Sequence, residues 1–482
     1  MRTSLDHPDV TSRSALALLT LALYGLLVLP RLLSYGMFVD GVTYASLARN
    51  LAEGYGSFWQ PRYTETVYPM FYEHPPLGFW LQSWAYWLWG DAWYVEALWG
   101  MLVGLLLLGS LAGLWRALVP QGMAGAWFPL LLVVLTPMTS WALANNMLET
   151  SMTLWIVLAV WLCVRSLQSP SPWCTTGYAI LAGGSICAAL LVKGPTALFP
   201  LVTPGIVPLE ATSHLQKRAL VLLILVATVV MVLLLLSVVQ PAAVTFFTQY
   251  LQHQVLASVS GARETSGSRW LLLAVISREV LVPGLAATTL MVLMRRHLSV
   301  SRAAWRLCCL FLGLALAGSL PLLISAKQKR WYALPSLPFY ALAIAALCHA
   351  PALHYERLLH VSRAWRRRVI MMAVGVLLVA GLWMGLEWQA LRRDADFHAD
   401  FSVQPCRMAA RQVISVYPST LATQWSLVAN MQRTCKASLS GELGQPYLLT
   451  TREHAEAIPF AAHYQRVHPA QPRKYVLFKR VE

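Results

Sequence analysis

Apolar runs of roughly 20 residues recur along the chain between short polar, mostly basic stretches, and that is the length an α-helix needs to cross the hydrocarbon core of a bilayer. The pattern predicts about eleven crossings, near residues 15–34, 95–115, 123–141, 147–167, 176–192, 194–209, 219–239, 270–294, 307–325, 331–348 and 369–388. No small-residue cleavage site follows the first run, which is also longer than the apolar part of an export signal, so it reads as a retained helix. A long outer loop, 35–94, separates the first two crossings. Within it Asp40, Tyr44, Leu47, Ala48 and Leu51 recur at helical spacing. Its last part, Pro75 to Gly90, is aromatic but about 16 residues long, too short to span, and predicts a helix lying in, or half entering, the outer leaflet. A second outer loop covers 240–268, and a third, Ser325 to Arg330, is short and basic. Beyond residue 388 the chain turns polar. A helix-like segment near Gln404 to Val416 and β-rich runs at Thr420–Trp425, Tyr447–Thr451 and Lys474–Lys479 predict a small soluble α/β domain over 389–482. The expected architecture is a polytopic α-helical membrane domain, 1–388, followed by that domain.

Composition agrees. Of 482 residues 57% are hydrophobic and 12% charged, against about half and about a quarter in soluble domains, which excludes a soluble enzyme. The 37 Lys and Arg against 21 Asp and Glu, net +16, raise the question of nucleic acid. Their placement answers it: Lys217-Arg218, Arg295-Arg296 and Arg366-Arg367-Arg368 lie between apolar runs, as basic residues mark cytoplasmic loops. An internal N-terminus gives the inner face the richer basic share, and an odd number of crossings then leaves the tail outside, in the periplasm of a Gram-negative inner membrane. The eight cysteines show no zinc spacing. Cys406 and Cys435 alone share the polar tail, where they form either a disulfide in an oxidising compartment or two buried thiols.

Polar residues of unusual type collect at the outer ends of different crossings. Asp40 follows the first, as a base or as a helix cap. Glu73-His74-Pro75-Pro76 stands where the loop returns to the membrane, its Glu and His able to hold a metal or a charged substrate. Glu149 opens the fourth crossing; an intramembrane carboxylate implies a polar cavity. Lys193-Gly194-Pro195 turns between two apolar helices and offers an ammonium to an anion. Lys327, Lys329 and Arg330 precede Trp331 and Tyr332 and run against the inside-positive trend, which points to an anionic ligand or to lipid headgroups. His253 lies in the second outer loop, and a divalent cation between it and Glu73, with His74, is a candidate for holding a donor phosphate. No Gly-rich phosphate loop and no GxSxG elbow is present.

In this order, Asp40…Tyr44, Phe71-Tyr72-Glu73-His74-Pro75-Pro76-Leu77…Trp80, Leu148-Glu149, Lys193-Gly194-Pro195 and Lys327…Tyr332…Leu334-Pro335…Pro338, the chain resembles the bacterial aminoarabinose transferase and protein mannosyltransferase superfamily, membrane glycosyltransferases of the GT-C fold. The resemblance covers about residues 15–350; the tail is similar to that group's periplasmic domain in size and place only. His74 stands where the family often has Lys, Glu149 where it has Asp, and Ala257 where it tends to have Arg. The resemblance implies a hexosyl- or pentosyltransferase that takes its sugar from a polyprenyl phosphate and gives it to lipid A, lipopolysaccharide or protein. It further implies Asp40 and Glu149 as catalytic groups, and Lys193, Lys327, Lys329, Arg330, Tyr332 and His74 around the donor phosphate. A transporter or flippase of lipid-linked glycan is the rival reading from another class. Transporters carry midplane charges and paired repeats, whereas here the polar residues gather at one face.

Overall fold

The computed structural model of the chain describes residues 10–119, 125–208, 214–259, 270–324, 328–401, 403–455, 463–468 and 471–481. Among the described residues eight helices are long and apolar enough to cross a membrane: Arg13–Leu32, Val95–Leu118, Leu148–Gln168, Pro172–Lys193, Leu215–Val239, Trp270–Leu293, Arg302–Ile324 and Arg363–Glu387. Two further helix pairs are long and apolar enough only when taken together, and each is sharply bent, as in a broken span or a re-entrant loop. Trp127–Leu135 meets Pro137–Ala144 at 72°, and Arg330–Leu347 meets His349–Val361 at 70°. Proline explains the first break, because its ring expels the preceding residue from the helical region, and Thr136 sits at φ −68°, ψ 114°. The free N–H groups of a broken helix must be met inside the protein when no water is near. Here Met138 N donates to Glu279 Oε2 at 2.6 Å, so the buried carboxylate of one span closes the break in another.

The apolar run 194–209 forms a 3-10 helix, Pro195–Val202, and one α-turn, Thr203–Ile206. Pro195, Pro200 and Pro204 interrupt the α-ladder. Eight residues at about 2 Å and four at about 1.5 Å reach roughly 22 Å, short of the ~30 Å core.

The first loop carries the two expected helices, Val39–Ala52 and Leu77–Trp89, with a short hairpin β1 (Gly56–Ser57) and β2 (Gln60–Pro61) between them. At 13 residues the second helix is about 20 Å long, and Trp84, Trp87 and Trp89 lie exposed along it, as in an interfacial belt. The segment expected as a second loop is helical where described: Pro241–Tyr250, a π-helical turn Leu251–Leu256, and Ala257–Val259. Its buried Ala243, Phe246 and Tyr250 are spaced three and four residues apart, an amphipathic pattern.

The tail holds a five-stranded mixed sheet in the order β4-β3-β5-β7-β6. It comprises β3 (Val413–Tyr417), β4 (Ser438–Ser440), β5 (Tyr447–Thr451), β6 (Tyr464–His468) and β7 (Tyr475–Arg480). β3 runs parallel to β4 and β5; β7 runs antiparallel to β5 and β6. The runs at 447–451 and 474–479 are strands as expected. Two expectations are corrected. The helix near 404 ends at Ala409, and Val413 to Val416 form the central strand of the parallel group. Thr420–Trp425 is not a strand but a 3-10 turn, Ser419–Thr423, leading into the helix Trp425–Asn430. A short apolar run reads the same in either state; burial of one face against the sheet selects the helix.

Cys406 and Cys435 form a disulfide that ties helix Val403–Ala409 to the π-helical turn Met431–Cys435. That turn docks on the first loop. Arg433 donates to Glu96 at 2.5 Å and to Asp91 at 2.7 Å and lies over the Tyr86 ring. Lys436 pairs with Asp91 at 3.1 Å and with Glu53. Asp91, though burial works to raise its pKa, is held below the usual carboxylate range by Arg433, Arg49 and Lys436. The buried Arg49 donates to the carbonyls of Gln432 and Arg433 at 3.0 and 2.9 Å.

Candidate active site

The start of helix Val39–Ala52 is fixed by the turn that ends the broken span. Asn145 Oδ1 accepts from Phe38 N at 2.7 Å, and Asn146 donates to Gly41 O at 3.1 Å. Gly41 permits the approach, since a Cβ there would stand 1.9 Å from Asn145 O. Phe38 is the N-cap, so Asp40 is not the cap; it lies in the first turn, where the helix dipole favours its charge. The side chain is half-buried and faces a cavity of about 410 Å³.

Lys193 ends helix Pro172–Lys193, and Gly194 reverses the chain at φ +106°. Glycine is required there twice, because a Cβ would also meet Tyr250 Oη at 2.0 Å. The Lys193 ammonium stands 2.8 Å from Glu149, their side chains 8% and 1% exposed, and donates to Tyr44 Oη at 3.2 Å. Each is the buried ionic partner of the other, so removing either one alone would leave an uncompensated buried charge. His74 is fixed by packing: its ring lies 5.6 Å from Tyr44 and 6.4 Å from Phe71.

Two cavities meet at these residues. The polar one is lined by Asp40, Glu73, His74, Lys193, Lys329 and Tyr332, with walls from Phe38, Tyr68, Phe71, Trp331 and Trp425. The second, about 370 Å³, shares Glu73, His74, Lys193 and Tyr332 with it and adds Glu149, Thr196, Tyr250, Gln254 and Ser258. It continues onto Met152, Val255, Leu322 and Ile324. A ring of one carboxylate, one imidazole, one ammonium and one phenol therefore separates a polar chamber from an apolar one.

Most of the expected site residues are brought together here from five separate stretches of chain. Arg330 is not: it is exposed and lines neither cavity. Lys327 lies outside the described residues. His253 is exposed, and the residue after it, Gln254, turns to the site instead and donates to Glu73 at 2.5 Å. Gln254, rather than His253, stands beside Glu73, and among the described residues no three His, Cys, Asp or Glu side chains converge. Asn145, Asn146, Thr196, Tyr250 and Gln254 were not singled out from the sequence. Only the helical period of 243, 246 and 250 could have shown which face of that segment turns inward. Trp425 comes from the tail, and no local pattern ties it to the membrane site.

No protein-family model matches the chain, and no curated protein matches it by sequence. Solved structures do. The crystal structure of ArnT from Cupriavidus metallidurans in the apo state superposes with a TM-score of 0.65 at 18% identity, covering 98% of this chain and 97% of that one. The same protein bound to undecaprenyl phosphate gives 0.61 at 19% identity, with coverage of 98% and 97%. The match runs through the membrane helices and the tail alike, and the chain has the ArnT-like GT-C fold of a multi-pass membrane protein.

Proposed function

We propose that the chain is a membrane glycosyltransferase that moves a sugar from a polyprenyl phosphate to an acceptor, lipid A-type or protein, at the outer face of the bacterial inner membrane, with the site and the domain 389–482 in the periplasm. One observation carries the reading: Lys193, His74, Glu73 and Tyr332 stand where an apolar and a polar cavity meet. An amphiphile with an anionic head fits that junction. Its prenyl chain lies along Met152, Leu322 and Ile324, and its phosphate sits against Lys193, with Lys329, His74 and Tyr332 in reach. ArnT binds undecaprenyl phosphate, which supports this assignment.

The acceptor enters the polar cavity, its oxygen attacks the anomeric carbon, and the carbon–oxygen bond to phosphate breaks with inversion. The electron pair leaves with the phosphate, whose growing charge the ammonium of Lys193 stabilises. Asp40 takes the proton of a hydroxyl acceptor; toward a phosphate acceptor, already ionised, it orients the group or stabilises the oxocarbenium-like sugar. Purified protein given a labelled polyprenyl-phosphate sugar tests this. Asp40→Asn should fold normally and transfer about 10²-fold more slowly or worse. Normal transfer by a normally abundant Asp40→Asn would remove Asp40 as the base and favour a phosphate acceptor, whereas no transfer by the wild type would favour the transporter.

A further inference from the structure

The proposed transfer does not account for the aromatic wall of the polar cavity that Asp40 also lines. That wall is built by two regions far apart in sequence. Tyr68 comes from the first loop and Trp425 from the tail; their ring centroids are 5.7 Å apart at 82°, and Phe71 lies 5.8 Å from Tyr68. All three line the polar cavity, and Tyr68 keeps more than a third of its surface exposed.

Tyr68 is held there against its own preference. Its φ is +50°, a left-handed conformation that a bulky aromatic residue rarely adopts. Neighbours impose it. Thr64 Oγ1 accepts from Val67 N at 2.7 Å and donates to Val67 O at 2.8 Å, closing the turn. The turn is in turn fastened to the tail strand β4: Glu65 N donates to Ser438 Oγ at 2.9 Å, and Thr66 Oγ1 to Leu439 O at 2.7 Å. Backbone strain that is over-determined by its surroundings and projects a ring into a cavity marks a functional position. Trp425 is similarly placed by its packing on Tyr63, 5.7 Å away.

Two large rings at an open, polar chamber that Asp40 and Glu73 also line suit one kind of guest. The C–H face of a pyranose packs on an aromatic ring as apolar surface, while its hydroxyls reach polar groups of the same cavity. Resting on the transferase reading above, we propose that Tyr68 and Trp425 form the acceptor-recognition wall, which selects an acceptor presenting a sugar ring over a peptide. The tail is thereby part of the specificity machinery, since it supplies Trp425 and fixes the turn that presents Tyr68.

The test measures binding to full-length protein in nanodiscs of two probes, an acylated glucosamine disaccharide and undecaprenyl phosphate, with a serine-containing peptide as third ligand. Trp425→Ala should weaken the disaccharide by about tenfold or more and leave undecaprenyl phosphate unchanged, and Trp425→Phe should restore most of the affinity. Tyr68→Gly removes the ring and the strain together, so it should bind the disaccharide about tenfold more weakly at equal or higher thermal stability. A purely structural ring would instead lower stability. Unchanged disaccharide affinity in both variants, equal loss of both probes, or preference of the wild type for the peptide overturns the wall. Failure of the wild type to bind undecaprenyl phosphate, with disaccharide binding still dependent on Trp425, overturns the donor reading and upholds the wall.

Discussion

The two halves of the site are held by different physics. On the membrane side Glu149 and Lys193 are nearly fully buried and depend on each other; there, a charge has no water to fall back on. On the tail side Arg433, Lys436, Asp91 and Glu53 form a network that keeps partial contact with solvent, and a disulfide fixes the turn that carries it. The first half does not tolerate the loss of one charge without the other. The second is a docking surface, tuned by several smaller terms, and yet it carries a wall of the same cavity.

Breaking the buried pair should have the largest effect. Lys193→Met leaves Glu149 unpaired and should cost about 3–5 kcal/mol of stability, read as loss of folded protein in a thermal or detergent-denaturation assay. Lys193→Met with Glu149→Leu should recover most of that stability without recovering undecaprenyl phosphate binding. Recovery of both would mean that the lysine is structural. On the tail side, Cys406→Ser with Cys435→Ser opens a loop of 29 residues and should cost roughly 3–4 kcal/mol of tail stability in the chain-entropy account. Limited proteolysis should then cut the tail first while the membrane helices stay protected; simultaneous loss of both halves would show that they fold as one unit.

The smallest effect is that of acid. Because the folded pKa of Asp91 lies below its unfolded value, the carboxylate contributes stability that is complete above about pH 4, the unfolded value, and lost as pH falls through the folded pKa. Protection from hydrogen exchange at residues 431–436, taken relative to the intrinsic rate at each pH, should therefore fall below about pH 4 in the wild type, and Asp91→Asn should flatten that dependence. An unaltered acid response in Asp91→Asn would remove Asp91 as the source of the acid sensitivity.

Helices Val39–Ala52 and Leu77–Trp89 were legible because their apolar and aromatic spacing is local. So was the set Asp40, Glu73, His74, Glu149 and Lys193, since ionisable residues at the ends of apolar spans are rare enough to stand out, and Tyr332 followed from the basic run before it. Gln254 in place of His253 was not legible: the two are adjacent, and only the packing of Phe246 and Tyr250 fixes which one faces Glu73. Glu279 carries no motif, and its purpose emerges only beside the break at Pro137.

The sequence by itself determined that this chain lives in a membrane, roughly where it crosses, and which charged groups gather at one end, because hydrophobic length and the cost of buried charge act locally along the chain. Tertiary structure alone decided that Glu149 is the partner of Lys193, that a polar and an apolar cavity share one ring of residues, and that Trp425 of the tail closes the polar one. Those are contacts between distant segments, and their energy depends on how helices and sheet pack, which no local pattern encodes.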